Sequence, residues 1–371
     1  MIRVLVVDDS GFMRMALKRI IEADGDLKVV GEAANGIAAL ELAARLRPDV
    51  VALDVEMPEL DGLAVTERLM ALPSPPAVVM VSHHTRDGSE VALAALARGA
   101  VDYLWKGSAL SGLDLGRIDR ELRGRLRHWA AQRARALPEG ESRAGAPLRL
   151  PQSLLQPAAA PAASLAPPAA RPGQGRCDVV LLGASTGGPD AVAGFLKAAG
   201  RLPVPCLVAQ HMPAELGPEL VRHLAARTGQ VVRLGERGLH PAPGEVVVLP
   251  GGTDGHLARA ADGGFLLRLA SGPGPVHPSV DLLFQSAALV ARRALAVVLT
   301  GMGRDGAAGA AALAARGAVL LLQSAASCVV AGMPVAAGEA LRAAGGSAEE
   351  GEPEALGRRA ASLLAPAALR L

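Results

Sequence analysis

From Leu137 to Arg176 the chain runs for 40 residues through mostly Ala and Pro with scattered Gly, Ser and Arg. This stretch carries neither the 3.6-residue apolar period of a helix nor the alternation of a strand. No layer of packed secondary structure can be threaded through it, so it reads as a linker. It divides the 371 residues into two units, each long enough to bury its own core. As a flexible coil it spans roughly 35 Å root-mean-square, and more where proline stiffens it. Such a tether neither holds its neighbours apart nor docks them, so any contact between them must come from complementary surfaces.

Ahead of the linker, Val4–Val7, Val29–Ala33, Val50–Leu53, Ala77–Val81 and Val101–Leu104 are short apolar runs separated by amphipathic stretches. They predict five βα units and a doubly wound parallel sheet covered on both faces, with polar chemistry gathered at the carboxyl ends of its strands. Asp8 and Asp9 close the first of these runs and Asp54 the third. Two like charges about 4 Å apart repel by about 4 kcal/mol at an effective dielectric of 20, so such a cluster calls for a hard divalent cation, with Mg2+ the natural choice. Lys106 follows the fifth run, where an ammonium can neutralise Asp54 and pair with a transferred phosphoryl group. Lysine is informative here because only Lys18, Lys28, Lys106 and Lys197 occur, so a basic position in this chain is ordinarily Arg. Ser82 offers a hydroxyl to a phosphoryl oxygen, and Tyr103 is placed to swing inward when that hydroxyl moves. His83 and His84 are adjacent on an extended segment, point opposite ways and read as surface residues.

The βα rhythm resumes after the linker. Val179–Leu182 runs into Gly183-Ala184-Ser185-Thr186-Gly187-Gly188 and then a helix near Pro189, a small-residue turn that fits the G-x-S-x-G nucleophile pattern. The strand Cys206–Gln210 delivers His211 to the same edge, where it is the best-placed base for Ser185. Ala296–Leu299 leads into Thr300-Gly301-Met302-Gly303-Arg304-Asp305-Gly306, which makes Asp305 the candidate carboxylate to orient that histidine. His223 is explained by the polar face of a helix over Leu216–Thr228. His240, His256 and His277 lie in Pro- and Gly-rich segments that offer no strand to position them, and Asp281 reads as structural. The order Ser185, His211, Asp305 excludes the usual α/β-hydrolase topology.

The set V-V-D-D-S, L-D-V-E-M-P-E-L-D-G-L and V-D-Y-L-W-K resembles the receiver domain of bacterial response regulators over residues 1–125. That resemblance implies a flavodoxin-like fold with Asp54 phosphorylated by a histidine kinase. Asp9, Asp54 and the Glu56 carbonyl would hold Mg2+, with Asp8 acting through water. The chain departs from the receiver pattern at Gly107, where proline is usual. Further on, G-A-S-T-G-G-P, Q-H-M-P, H-P-S-V-D-L-L-F-Q-S-A-A and L-T-G-M-G-R-D-G-A-A-G resemble the chemotaxis protein-glutamate methylesterases. Gln323-Ser324 and the P-G-G-T-D-G-H-L stretch depart from that family.

The second resemblance implies a Rossmann-like catalytic domain over residues 177–371 that hydrolyses γ-glutamyl methyl esters and deamidates glutamines on chemoreceptor helices. Ser185 would be the nucleophile, His211 the base and Asp305 the orienter, with the Met302 amide in the oxyanion hole and no cofactor for the hydrolysis. It also implies that the unphosphorylated receiver covers the catalytic cleft. A competing reading is a receiver-controlled binding module that has lost turnover, and a third is an esterase acting on another kind of sensor.

Composition removes other classes. A formal charge of +2 with dispersed basic residues gives no nucleic-acid footprint. No apolar run reaches the roughly 18 to 20 residues needed to span a bilayer, and the N-terminus reads as a strand, so a cytoplasmic protein is expected. Cys177, Cys206 and Cys328 are widely spaced and read as small buried side chains.

Overall fold

The computed structural model describes residues 1–82, 89–105, 115–136, 177–272 and 276–365. The linker, His83, His84, Lys106 and Gly107 lie outside these residues.

In the N-terminal unit β1 (Ile2–Val7), β2 (Leu27–Ala33), β3 (Val50–Leu53), β4 (Ala77–Ser82) and β5 (Asp102–Trp105) alternate with α1 (Gly11–Glu22), α2 (Gly36–Leu46), α3 (Gly62–Met70), α4 (Ser89–Arg98) and α5 (Leu115–Ala136). All strand pairs are parallel, in the order β2-β1-β3-β4-β5. Three helices start where a short polar side chain satisfies a free amide: Ser10, Asn35 and Asp61 accept from the N–H of Met13, Ala38 and Ala64. Gly62 lies so close to the end of β3 that a β-carbon there would sit 2.1 Å from the Asp54 carbonyl. The fifth helix runs eleven residues past the predicted boundary at 125, to Ala136.

The C-terminal unit contains β6 (Val179–Ala184), α6 (Gly188–Ala199), β7 (Cys206–Gln210), α7 (Gly217–Thr228), β8 (Val231–Leu234), β9 (Glu245–Val248), β10 (Asp254–Arg259) and β11 (Phe265–Ala270). These are followed by α8 (Val280–Val290), β12 (Ala294–Val298), α9 (Ala307–Ala314), β13 (Val319–Gln323), α10 (Gly332–Ala343), β14 (Glu349–Gly351) and α11 (Pro353–Leu364). Seven of its strands form a parallel sheet ordered β14-β13-β12-β6-β7-β9-β8. Alternate residues of β6 feed two cores: Val180 and Leu182 meet Phe195 of α6, while Val179 and Leu181 meet Phe284 of α8. Truncating either fully buried phenylalanine to Ala would cost about 3–5 kcal/mol.

The predicted doubly wound α/β architecture holds for both units. Several boundaries and assignments differ. β12 begins two residues earlier than expected, and a 3-10 turn over Ala214–Leu216 precedes α7. His256 lies within β10, because β10 and β11 form an antiparallel hairpin closed at Asp262, whose carboxylate accepts from Gly264 N–H. Cys177 and Cys206 are buried as expected, but Cys328 is only partly covered.

The two units touch directly. α4 packs on α6 and α7, one apolar cluster runs from the first sheet into the second, and Met302 joins Leu122, Leu126 and Trp129 of α5. No helix among the described residues is long and apolar enough to cross a membrane.

Candidate active site

In an open parallel sheet, binding sites form where strand order reverses, beyond the carboxyl ends. The seven-stranded sheet reverses between β6 and β12, and its polar residues collect there. Ser185 follows β6, His211 follows β7 and Asp305 lies in the loop after β12.

Ser185 is the first residue of a four-residue turn closed by Gly188 N–H to Ser185 C=O at 2.8 Å. Gly187 has φ 77° and ψ 0°, values that the third position of a type II turn requires and that glycine supplies without steric cost. This geometry turns the Thr186–Gly187 peptide outward. Its carbonyl accepts from Thr300 Oγ1 at 2.9 Å, and its N–H donates to the Leu96 carbonyl of α4 at 2.8 Å, an inter-unit hydrogen bond.

His211 Nε2 lies 2.7 Å from Asp305 Oδ2. Asp305 does not cap the helix that follows it, since Gly306 takes that place. It instead collects Val280 N–H (2.7 Å), Asp281 N–H (2.8 Å) and Ser279 Oγ (3.2 Å) at the N-terminus of α8, where helix amides favour an anion. Burial opposes ionisation of Asp305. The bond and charge of His211 and the amides of Asp281 and Val280 outweigh burial and hold its carboxyl below the usual range. Asp281 accepts from Gly309 N–H at 2.7 Å, which ties α8 to α9, and burial, with the neighbouring Asp305 charge adding to it, pushes its carboxyl up to about 6.

The structure thus joins base and orienter, and it sets the Ser185 turn against His211 through His211 N–H to Ala184 C=O at 3.0 Å. His211 Nδ1 is buried and has no hydrogen-bond partner among the described residues, so the contact to the serine hydroxyl is not closed here. Catalytic hydrogen bonds are often loose until substrate arrives. Met302 N–H makes no backbone hydrogen bond among the described residues.

Residues beyond the predicted set line the site. His277, expected to be unpositioned, has its Nδ1 2.9 Å from Asp254 Oδ1 and faces the same cleft as His211; the carboxylate that pins it comes from 23 positions upstream. Gln210 and Thr300 hold the turns, and both stand inside the motif segments. Trp129 and Gln132 of α5 line the cleft from the N-terminal unit, a cavity of about 430 Å3 that Met302 and Asp305 also line. Gln132 Oε1 would lie 2.7 Å from a β-carbon on Gly303. No sequence signal links α5 to that turn. His211 lines this cavity at 5% exposure, and Ser185 is 2% exposed.

On the first sheet the reversal lies between β1 and β3. There Asp8, Asp9 and Asp54 bring carboxylate oxygens within 4.8 Å of one another. Asp8 and Asp54 are buried and Asp9 is open to solvent, a hard-oxygen set that fits Mg2+. Ser82 is buried. Tyr103 already points inward at 1% exposure, with burial pushing its phenol up and a hydrogen bond with Ser82 opposing that. Glu56 is exposed on the loop after β3.

The response regulator receiver domain matches residues 4–114 and the CheB methylesterase domain residues 180–349. A protein-glutamate methylesterase/protein-glutamine glutaminase of Dechloromonas aromatica is 40% identical over 90% of this chain and 91% of its own length. One from Burkholderia thailandensis is 41% identical over 90% and 92%. One from Myxococcus xanthus is 40% identical over 91% and 92%. With both domains matched in order along nearly the whole length of these relatives, the chain belongs to the protein-glutamate methylesterase/protein-glutamine glutaminase family, built from a receiver and a CheB methylesterase domain.

Proposed function

We propose that this chain is a phosphorylation-activated serine hydrolase that cleaves glutamate methyl esters, and deamidates glutamines, on the cytoplasmic helices of chemoreceptors. The observation that carries this reading is the 2.7 Å pairing of His211 Nε2 with Asp305 beside the strand-to-helix turn of Ser185. With Nε2 engaged, Nδ1 is the nitrogen left to take the Ser185 proton. The serine oxygen attacks the ester or amide carbon, and the Met302 N–H stabilises the oxyanion. Imidazolium returns its proton to the departing methanol or ammonia, leaving an acyl-enzyme. Water, deprotonated by the same imidazole, then releases glutamate.

Control comes from the receiver. Asp9 and Asp54, with the Glu56 carbonyl, would hold Mg2+, with Asp8 acting through water, and the ion would offset the acidic cluster when a histidine kinase or small phosphodonor phosphorylates Asp54. Lys106 and Ser82 would contact the phosphoryl group, and Tyr103 would report its arrival. The buried Ser185 and the cover of α5 support a closed state whose population falls on phosphorylation.

The test is methanol and ammonia release from methylated receptor fragments, with and without acetyl phosphate. Ser185→Ala should abolish both products, and Asp54→Asn should remove only the response to acetyl phosphate. Undiminished release by Ser185→Ala would sink the serine assignment.

A further inference from the structure

The paired strands β6 and β7 end in register, Ala184 opposite Gln210, and the last ladder bond is His211 N–H to Ala184 C=O at 3.0 Å. Beyond it two carbonyls remain, those of Ser185 and His211, with no further strand to take them. The side chain of Gln210 turns back and answers both: Nε2 donates to Ser185 O at 2.8 Å and to His211 O at 2.9 Å. Both hydrogens of one NH2 group are therefore spent on the backbones of the proposed nucleophile and base. The Ser185 carbonyl also receives Gly188 N–H at 2.8 Å, so both of its lone pairs are used.

We infer that Gln210 is a positioning residue that sets the Ser185 and His211 side chains relative to each other, through the peptide planes that follow them. This rests on the serine-hydrolase reading above. Fixing the carbonyl after a residue fixes its ψ, and with it the direction in which its side chain leaves the backbone. One planar amide bridging two such carbonyls holds the two directions together.

Its environment makes this arrangement specific. Gln210 is fully buried, and its Oε1 has no partner among the described residues. Turning the amide over would aim that oxygen at two carbonyl oxygens, so only one orientation works. Oε1 lies against Gly188, where a β-carbon would come within 1.9 Å of it, so the second glycine of the turn makes room for this side chain. A buried amide with an orphan acceptor is an expensive way to fill space. Methionine would fill the same length without it, and what methionine lacks is the pair of donors.

The experiment compares the full chain with Gln210→Met and Ser185→Ala, each with Mg2+ and saturating acetyl phosphate. The readouts are kcat and KM on methylated receptor fragments and the rate at which a fluorophosphonate, a serine-directed probe that needs no receptor docking, modifies the protein. Incorporation of phosphate at Asp54 and the thermal midpoint report folding. Gln210→Met is expected to lower kcat about 10- to 100-fold, the scale of an ångström-level misplacement, with KM within about twofold. Fluorophosphonate modification should slow by a similar factor while phosphorylation of Asp54 is unchanged. If Gln210→Met does not fold, Gln210→Asn, whose amide is one methylene short, carries the test and should show the same kcat deficit. Wild-type kcat in the folded variant, or a loss confined to KM, overturns the inference. Should Ser185→Ala retain turnover, the serine reading itself falls; with Ser185→Ala dead and Gln210→Met fully active, only the role of Gln210 falls.

Discussion

Both parallel sheets of this protein reverse strand order once and place aspartate at the reversal, buried at Asp54 and partly exposed at Asp305, in different surroundings. Between β1 and β3, Asp8, Asp9 and Asp54 converge on one point, and under the proposed function Mg2+ from solution, together with Lys106, would offset their mutual repulsion. Between β6 and β12, Asp305 stands opposite a histidine and draws hydrogen bonds from the chain itself: Val280, Asp281 and Gly306 N–H and Ser279 Oγ. Under the proposed function the first site would take part of its charge balance from a metal and a phosphoryl group, which suits a switch. The other closes its balance internally, which suits chemistry that must run unchanged at every turnover. If the proposed function holds, the same topological position would serve control or catalysis according to how the charge gathered there is offset.

The sharpest way to break this contrast is Asp305→Asn. The side chain keeps its size and can keep its place at the α8 amides, but it no longer stabilises an imidazolium at His211. The fall in kcat should be about 10^4-fold, as for an orienting aspartate in other serine triads, with Asp54 phosphorylation untouched. A loss under tenfold would mean that Asp305 is only a cap for α8.

Chelation reaches the other site. With EDTA present, stimulation of methanol release by acetyl phosphate should vanish entirely, while the basal rate of unphosphorylated protein stays within about twofold, because the proposed serine mechanism uses no metal. A basal rate that collapsed with the stimulation would put a metal in the hydrolase site and erase the distinction between the two sheets.

How far these sites could be read from the sequence follows from how their parts are spaced. Strand ends are announced by apolar runs, and parallel sheets align those ends, so Asp8, Asp54, Ser185, His211 and Asp305 were legible without contacts. The pinning of His277 was not, because its partner Asp254 stands 23 residues earlier on a hairpin strand and no local pattern joins the two. Gln210 stood in plain view inside Q-H-M-P, but a side chain that folds back on its own strand end leaves no periodic trace. The approach of α5 to Met302 and Gly303 depends on tertiary docking across a 40-residue linker, and neither segment encodes it locally.

That docking gives a smaller, graded test. Gln132 lies against the Gly303 turn at the edge of the cover, and truncating one such side chain removes at most about 1 kcal/mol of contact. Gln132→Ala should therefore raise the unphosphorylated rate up to about fivefold and leave the fully phosphorylated rate alone. Equal increases in both states would show that α5 does not discriminate between them.

The smallest expected effect separates two aspartates within the internally balanced site. Asp305 is held below its ordinary pKa, whereas Asp281, without a cationic partner, is pushed up to about 6 from 3.8. A carboxyl with a raised folded pKa holds its proton more tightly in the native state. Its contribution to stability is then fully present below the unfolded value and is lost as pH rises through about 6. Asp281→Asn keeps an oxygen able to accept from Gly309 N–H and cannot ionise. The difference in thermal midpoint, variant minus wild type, should grow in the variant's favour between pH 4 and pH 6.5 and level off above that. Parallel midpoint curves across this window would mean that Asp281 is ionised in the folded protein throughout, with its charge absorbed by the α8 and α9 amides as fully as that of Asp305.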